Sequence, residues 1–174
     1  MTKYLRIDSP IGKLTLAANN GYLTNVFFEG EEPPFSLSEL FDDKTDSEIF
    51  TVLQQAKNEL NEYFEGQRTV FSVPLKPKGG EFFQRIWKTM CDILHYGQTT
   101  TYSELAKLGG NEKAARAVGM ANNRNPIPIF IPCHRVLGKN KSLTGFRGGL
   151  DMKQKLLNIE GHSTLLSNIK KINC

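Results

Sequence analysis

The chain has 174 residues, 39% hydrophobic and 23% charged, a composition that suits a globular protein of one ordinary domain or two small ones. No apolar run approaches the roughly 20 residues of a membrane span, and MTKYLRIDSP lacks the apolar centre of a secretory signal, so a cytoplasmic protein without a membrane is expected. The net charge of +4 hides an asymmetry: residues 1–80 hold 8 Lys and Arg against 12 Asp and Glu, and residues 81–174 hold 14 against 6. A charge of −4 followed by +8 puts any polyanionic ligand on the second half.

The first thirty residues read as three short strands, KYLRID, KLTLAA and YLTNVFF, broken at Ser9-Pro10-Ile11-Gly12 and at Asn19-Asn20-Gly21. Asn-Gly between such runs predicts a hairpin. From Ser47 to Phe64, the residues Ile49, Val52, Leu53, Ala56, Leu60, Tyr63 and Phe64 recur at helical spacing, so an amphipathic helix is expected to cover the sheet. VPLKPKGG, Val73 to Gly80, then marks the end of a small α+β unit.

The second half is predicted to be mostly helical. Phe83, Ile86, Trp87, Met90, Ile93 and Leu94 give one helix that stops at His95-Tyr96-Gly97, and TTYSELAKLGGNEKAARAVGMANN gives two more around Gly109-Gly110. Thr101 and Glu104 have capping-box spacing, and Asn111 is a good N-cap. Two short helices about a glycine turn suggest a helix-turn-helix. Ala114, Ala115, Val118 and Ala121 give the second helix a close-packing face, while Arg116, Met120 and Asn123 form an outward row suited to nucleic acid.

The segment NPIPIFIPCHRV, Asn125 to Val136, carries three prolines and reads as a stiff, buried, extended loop ending in Cys133, His134 and Arg135. A thiol beside an imidazole, with a guanidinium able to favour thiolate, suits a nucleophile, provided the chain bends so that adjacent side chains meet. A last helix runs from about Leu150 to Glu160, with Gly161 as its cap. Glu160 sits at a helix end that disfavours a carboxylate, so it is either exposed or paired with a histidine such as His134. Three cysteines, Cys91, Cys133 and Cys174, without a CxxC pair, indicate reduced thiols. Cys91 and His95 have i, i+4 spacing, but core packing explains them better than a metal, and no metal or other cofactor is expected.

IPCHRV preceded by NP and followed by GGL resembles the active-site motif of the O6-alkylguanine-DNA alkyltransferases. TTYSELAKLGGNEKAARAVG resembles their DNA-binding segment. The resemblance implies an α+β chain, with an N-terminal ribonuclease-H-like α/β domain at 1–79 and a C-terminal, mostly helical, winged helix-turn-helix domain at 80–174. It implies irreversible, stoichiometric repair in which Cys133 takes the alkyl group from O6-alkylguanine, with O4-alkylthymine as a second candidate lesion. His134 would activate Cys133 through water, Glu160 would orient His134, and Asn125 would hold the turn. Tyr102, Arg116, Ala115, Met120, Asn123, Leu143, Phe146, Arg147 and Lys153 would meet DNA or the extruded base. Among these, Tyr102 would press on a phosphate, Arg116 would fill the vacated stack, and backbone amides near Leu143 and Arg147 would surround the base. The implied partner is double-stranded DNA, bound by a monomer. Two positions depart from the family pattern: Phe146 stands where Tyr is usual, and Arg147 where a small residue is usual. Three other readings use the same features: a lesion-flagging protein without transfer, a transcriptional regulator and a cysteine hydrolase.

Overall fold

The computed structural model describes residues 2–33, 38–39 and 47–161, which fall into two compact units, 1–78 and 79–174. In the first, β1 (Lys3–Ile7), β2 (Leu14–Asn19) and β3 (Tyr22–Phe28) form an antiparallel meander. A fourth strand, β4 (Ser38–Glu39), joins parallel to β1, giving the order β3-β2-β1-β4. The β2–β3 turn is the expected Asn-Gly hairpin, with Asn20 at φ 48° and Gly21 at φ 78°, the left-handed pair that a type I′ turn requires.

Helix α1 (Ser47–Phe64) lies on this sheet. Leu53, Ala56, Leu60 and Tyr63 are fully buried, as are Leu14, Leu16, Leu23 and Val26 from the strands. Each large apolar side chain removed from water in this way contributes about 2 kcal/mol. Glu59, on the same helix, is only 3% exposed, and sequence periodicity did not anticipate it. Its Oε1 accepts from the backbone N–H groups of Ser72 (2.6 Å) and Val73 (3.2 Å), and its Oε2 accepts from Gln55 Nε2 (2.9 Å). Those bonds offset the cost of burying a carboxylate and pin the segment after α1. The free edge of β3 is covered in turn, because Leu23 N donates to Pro74 O and Lys76 N to Leu23 O, both at 2.9 Å.

The second unit begins with α2 (Glu81–Ile93), whose Ile86, Trp87 and Met90 are buried. The two-residue β5 (Thr100–Thr101) runs directly into α3 (Tyr102–Leu108), and the capping box forms as the spacing predicted. Glu104 N donates to Thr101 Oγ1 (3.2 Å), while Thr101 N donates to Glu104 Oε2 (3.4 Å). The chain then reverses at Gly109-Gly110, where Gly110 takes φ 94°. A Cβ on Gly109 would come within 2.8 Å of Ile86 Cδ1, so glycine lets α3 end against α2. Asn111 caps a short 3₁₀ turn (Glu112–Ala114), and α4 (Ala115–Asn123) completes the helix-turn-helix. A prolyl-rich stretch leads to a second 3₁₀ turn (Cys133–Arg135) and to β6 (Val136–Leu137), which pairs parallel with β5. Helix α5 (Leu150–Ile159) is the last described element, with Glu160 as its C-cap.

Candidate active site and nucleic-acid face

The segment before Cys133 is irregular and buried, as its prolines dictate, and Asn125 closes it. Asn125 Oδ1 accepts from Ile127 N and Asn125 Nδ2 donates to Ile131 O, both at 2.9 Å. Between them Ile129, 1% exposed, is held at φ 76°, a left-handed conformation that a β-branched residue adopts only under constraint. The chain then bends through the 3₁₀ turn that carries Cys133, His134 and Arg135, all three buried.

His134 is fully buried, and its Nε2 lies 2.5 Å from Glu160 Oε2. Glu160 is further gripped by Arg135, with Nε on Oε1 at 2.7 Å and Nη2 on Oε2 at 3.2 Å, and it accepts from Gly97 N at 3.3 Å. Arg135 Nη1 donates to Leu94 O at 2.6 Å. One carboxylate therefore ties the chain after α2, the active turn and the end of α5 together. Burial opposes ionisation of Glu160, yet His134 and Arg135 outweigh it and hold the carboxyl below the usual range. An ionised Glu160 can only accept, so Nε2 carries the histidine's proton and Nδ1 presents a lone pair. That Nδ1 is buried and has no partner among the described residues. Burial also pushes the imidazole below its ordinary value of 6.5, so at neutral pH it is an uncharged base. Cys133, 3% exposed, is raised above 9.0 by burial, although Asn125, Lys153 and Arg147 pull the other way. The resting group is a thiol, which needs a base to become a nucleophile.

A cleft of about 910 Å³ lies nearby in the same unit. Tyr102, Ala115, Arg116, Gly119 and Asn123 line it from the helix-turn-helix, and Thr144, Gly145, Phe146, Gly149 and Leu150 line it from the loop that enters α5. Tyr102 is set between the two walls. A Cβ on Gly119 would touch its ring at 3.9 Å, and one on Gly145 would touch its hydroxyl at 3.7 Å. Arg116, Met120 and Asn123 are exposed along α4, as the helical spacing implied, and Val118 and Ala121 are buried behind them.

Comparison with known proteins decides the family. Residues 2–77 match the family described as 6-O-methylguanine DNA methyltransferase, ribonuclease-like domain, and residues 81–162 match its DNA binding domain. A methylated-DNA–protein-cysteine methyltransferase of Methanosarcina acetivorans is 45% identical over 159 residues, 91% of this chain and 97% of the relative. The constitutive methyltransferase of Bacillus subtilis is 40% identical over 92% of this chain and 96% of its own length. The crystal structure of Mycobacterium tuberculosis OGT in complex with DNA aligns with a TM-score of 0.81 at 40% identity, covering 96% of this chain and 94% of that one. The chain belongs to the methylated-DNA–protein-cysteine methyltransferase family.

Three expectations for this methyltransferase need correction. The guanidinium beside the thiol in sequence does not serve it, because Arg135 is committed to Glu160 and to Leu94 O; the cations that act on Cys133 are Lys153 and Arg147. Lys153, expected at the DNA or the base, is not on the surface at all. It is fully buried, and its Nζ donates to Val136 O (2.6 Å), Thr144 O (2.7 Å) and Gly145 O (3.4 Å), so it anchors the cleft loop to β6. Cys91 and His95 are exposed rather than packed in the core. Leu143 is 1% exposed and packs with Leu137 and Leu157, so only its backbone is available to a ligand. The roles of Arg135 and Lys153 were missed because periodicity sees an apolar face, whereas these cations sit inside it on carbonyl and carboxylate partners. The expectation for Cys174 lies outside the described residues.

These shifts fix the pH dependence of stability. Below 6.5 the unfolded chain protonates His134 while the native site resists, and below 4.5 Glu160 adds a loss of the same sign. Above 9.0 the unfolded chain ionises Cys133 while the native chain keeps the thiol, so stability falls again. Urea midpoints measured across pH are expected to be highest between these limits and to drop on both sides. A midpoint that rises from pH 6.5 toward acid would contradict the neutral, buried His134.

Proposed function

We propose that this protein repairs DNA by moving an alkyl group from O6 of guanine onto its own Cys133, once per molecule, as a monomer in the cytoplasm and without a cofactor. The observation that carries the reading is the buried His134, held through Nε2 by Glu160 and left with an unpartnered Nδ1 in the turn that bears the buried thiol. A water bridging Sγ and Nδ1 satisfies that nitrogen and carries the proton away as sulfur attacks. The imidazolium so formed lies against the Glu160 carboxylate. Sulfur forms a bond to the alkyl carbon, the carbon–O6 bond breaks, and the thiol proton is returned overall to guanine. The product is a thioether, whose sulfur is a poor leaving group toward water, so no hydrolytic step regenerates Cys133.

The lesion reaches the thiol only by leaving the duplex, because O6 lies inside the base stack. Extrusion costs a few kcal/mol, and less for a damaged base that pairs poorly. The exposed α4 row supplies the surface that faces DNA: Arg116 fills the vacated stack, Met120 and Asn123 flank it from the minor groove, and Ala115 lets the backbone approach. Tyr102 presses on a phosphate and, with Phe146 and the loop backbone near Leu143 and Arg147, receives the base in the cleft.

Binding separates this reading from a transcriptional regulator. Affinity for unmodified duplexes is expected to be alike across unrelated sequences, and log affinity is expected to fall linearly with log salt as counterions are released. Arg116→Ala should slow repair of an O6-methylguanine duplex by about tenfold while leaving the folded protein intact. A strong preference for one operator, with no loss of methyl from the duplex, would sustain the regulator instead.

A further inference from the structure

Arg147 lies in the loop that forms one wall of the cleft, between Phe146 and the Gly149-Leu150 start of α5. Its side chain leaves that wall. Nη1 donates to the backbone oxygen of Asn125 at 2.7 Å, a charge-assisted bond to a residue only 2% exposed. Asn125 is the node of the active turn, since its amide side chain binds Ile127 N and Ile131 O and so holds the strained Ile129 segment that leads to Cys133. The loop is thus fastened twice. Lys153 holds its beginning through Thr144 O and Gly145 O, and Arg147 holds its end to the turn that carries the thiol. Cys133 is 3% exposed, so an alkyl group reaches its sulfur only past the residues that surround the turn.

We propose that Arg147 is a positioning residue that fixes the spacing between the cleft loop and the Asn125–Cys133 turn, and that this spacing determines the size of alkyl group that reaches Cys133. With the strap in place the loop is tied to the turn at a fixed spacing, which favours a small group. Without it the loop loses its tie to the Asn125 carbonyl, a methyl group is presented less accurately, and a bulky group gains room. The charge of Arg147 near the thiol acts in the same direction as that of Lys153, opposing the rise that burial imposes on Cys133. The proposal rests on the alkyl-transfer reading above.

The test compares the full-length protein with Arg147→Ala, Arg147→Met and Arg147→Lys, using single-turnover transfer from duplexes carrying O6-methylguanine or O6-benzylguanine. Arg147→Ala and Arg147→Met are expected to slow methyl transfer about tenfold with little loss of benzyl transfer, and Arg147→Lys, whose ammonium can reach the same carbonyl, is expected to restore most of the ratio. Affinity for undamaged duplex should stay within about twofold. Equal slowing of both substrates, a wild-type ratio in Arg147→Met, or an affinity loss that accounts for the slower transfer would overturn the proposal. Failure of the unmodified protein to transfer any alkyl group would instead overturn the underlying reading.

Discussion

Cys133→Ala is expected to abolish alkyl transfer completely while changing affinity for duplex DNA by no more than about twofold. The thiol is buried in the 3₁₀ turn, whereas the residues proposed to face DNA lie on the exposed row of α4, so removing sulfur takes away the proposed acceptor and leaves that row untouched. Alanine leaves a small void where a 3% exposed side chain stood, and the turn is still closed by the two Asn125 bonds. Binding titrations and transfer assays on the same folded variant separate the two functions. Parallel loss of both would place Cys133 in the binding surface rather than in the chemistry.

Glu160→Gln has the next largest expected effect, because it acts on stability and chemistry together. The amide keeps the volume but removes the charge. The Arg135 guanidinium, 7% exposed in its side chain, then has no anion in a site where it cannot be solvated, and about 3 kcal/mol of stability should be lost. The same change removes the group that supports His134 when it takes the proton from Cys133, so the single-turnover rate should fall by about a hundredfold. Urea unfolding and transfer measured near pH 7.5 report both. A variant that melts and reacts like the parent would mean that Glu160 neither braces the turn nor supports the base.

Much of the fold was legible because its signals are local. Asn20-Gly21 encodes a turn in two residues, the Thr101–Glu104 box closes within one helical turn, and the apolar spacing of α1 reports the buried face of a helix on a sheet. The parallel strand β4 had no such signal. It is two residues long, and its partner β1 is more than thirty positions away in sequence. At the site, the motif and the helix-end position of Glu160 pointed to Cys133, His134 and Glu160, and the structure pairs the last two, but neither signal showed how the charges divide. Arg135 follows the thiol in sequence and yet turns to Glu160, because a 3₁₀ turn sends neighbouring side chains in different directions. Lys153 was assigned to the ligand surface on resemblance alone, and only the three carbonyls around its Nζ reveal an internal anchor. Arg147 stood out in the sequence as a departure from pattern, and its contact with Asn125 gives that departure a physical meaning.

The central claim is that Cys133 is consumed by a reaction it performs once. Titrating the protein with excess duplex containing O6-methylguanine, then digesting it and weighing the peptides, tests that claim most directly. Repair should reach a plateau at one methyl per protein molecule, with the added mass on the peptide that contains Cys133 and none on those containing Cys91 or Cys174. Repair that continues beyond the plateau, or a methyl group on another cysteine, would contradict the mechanism.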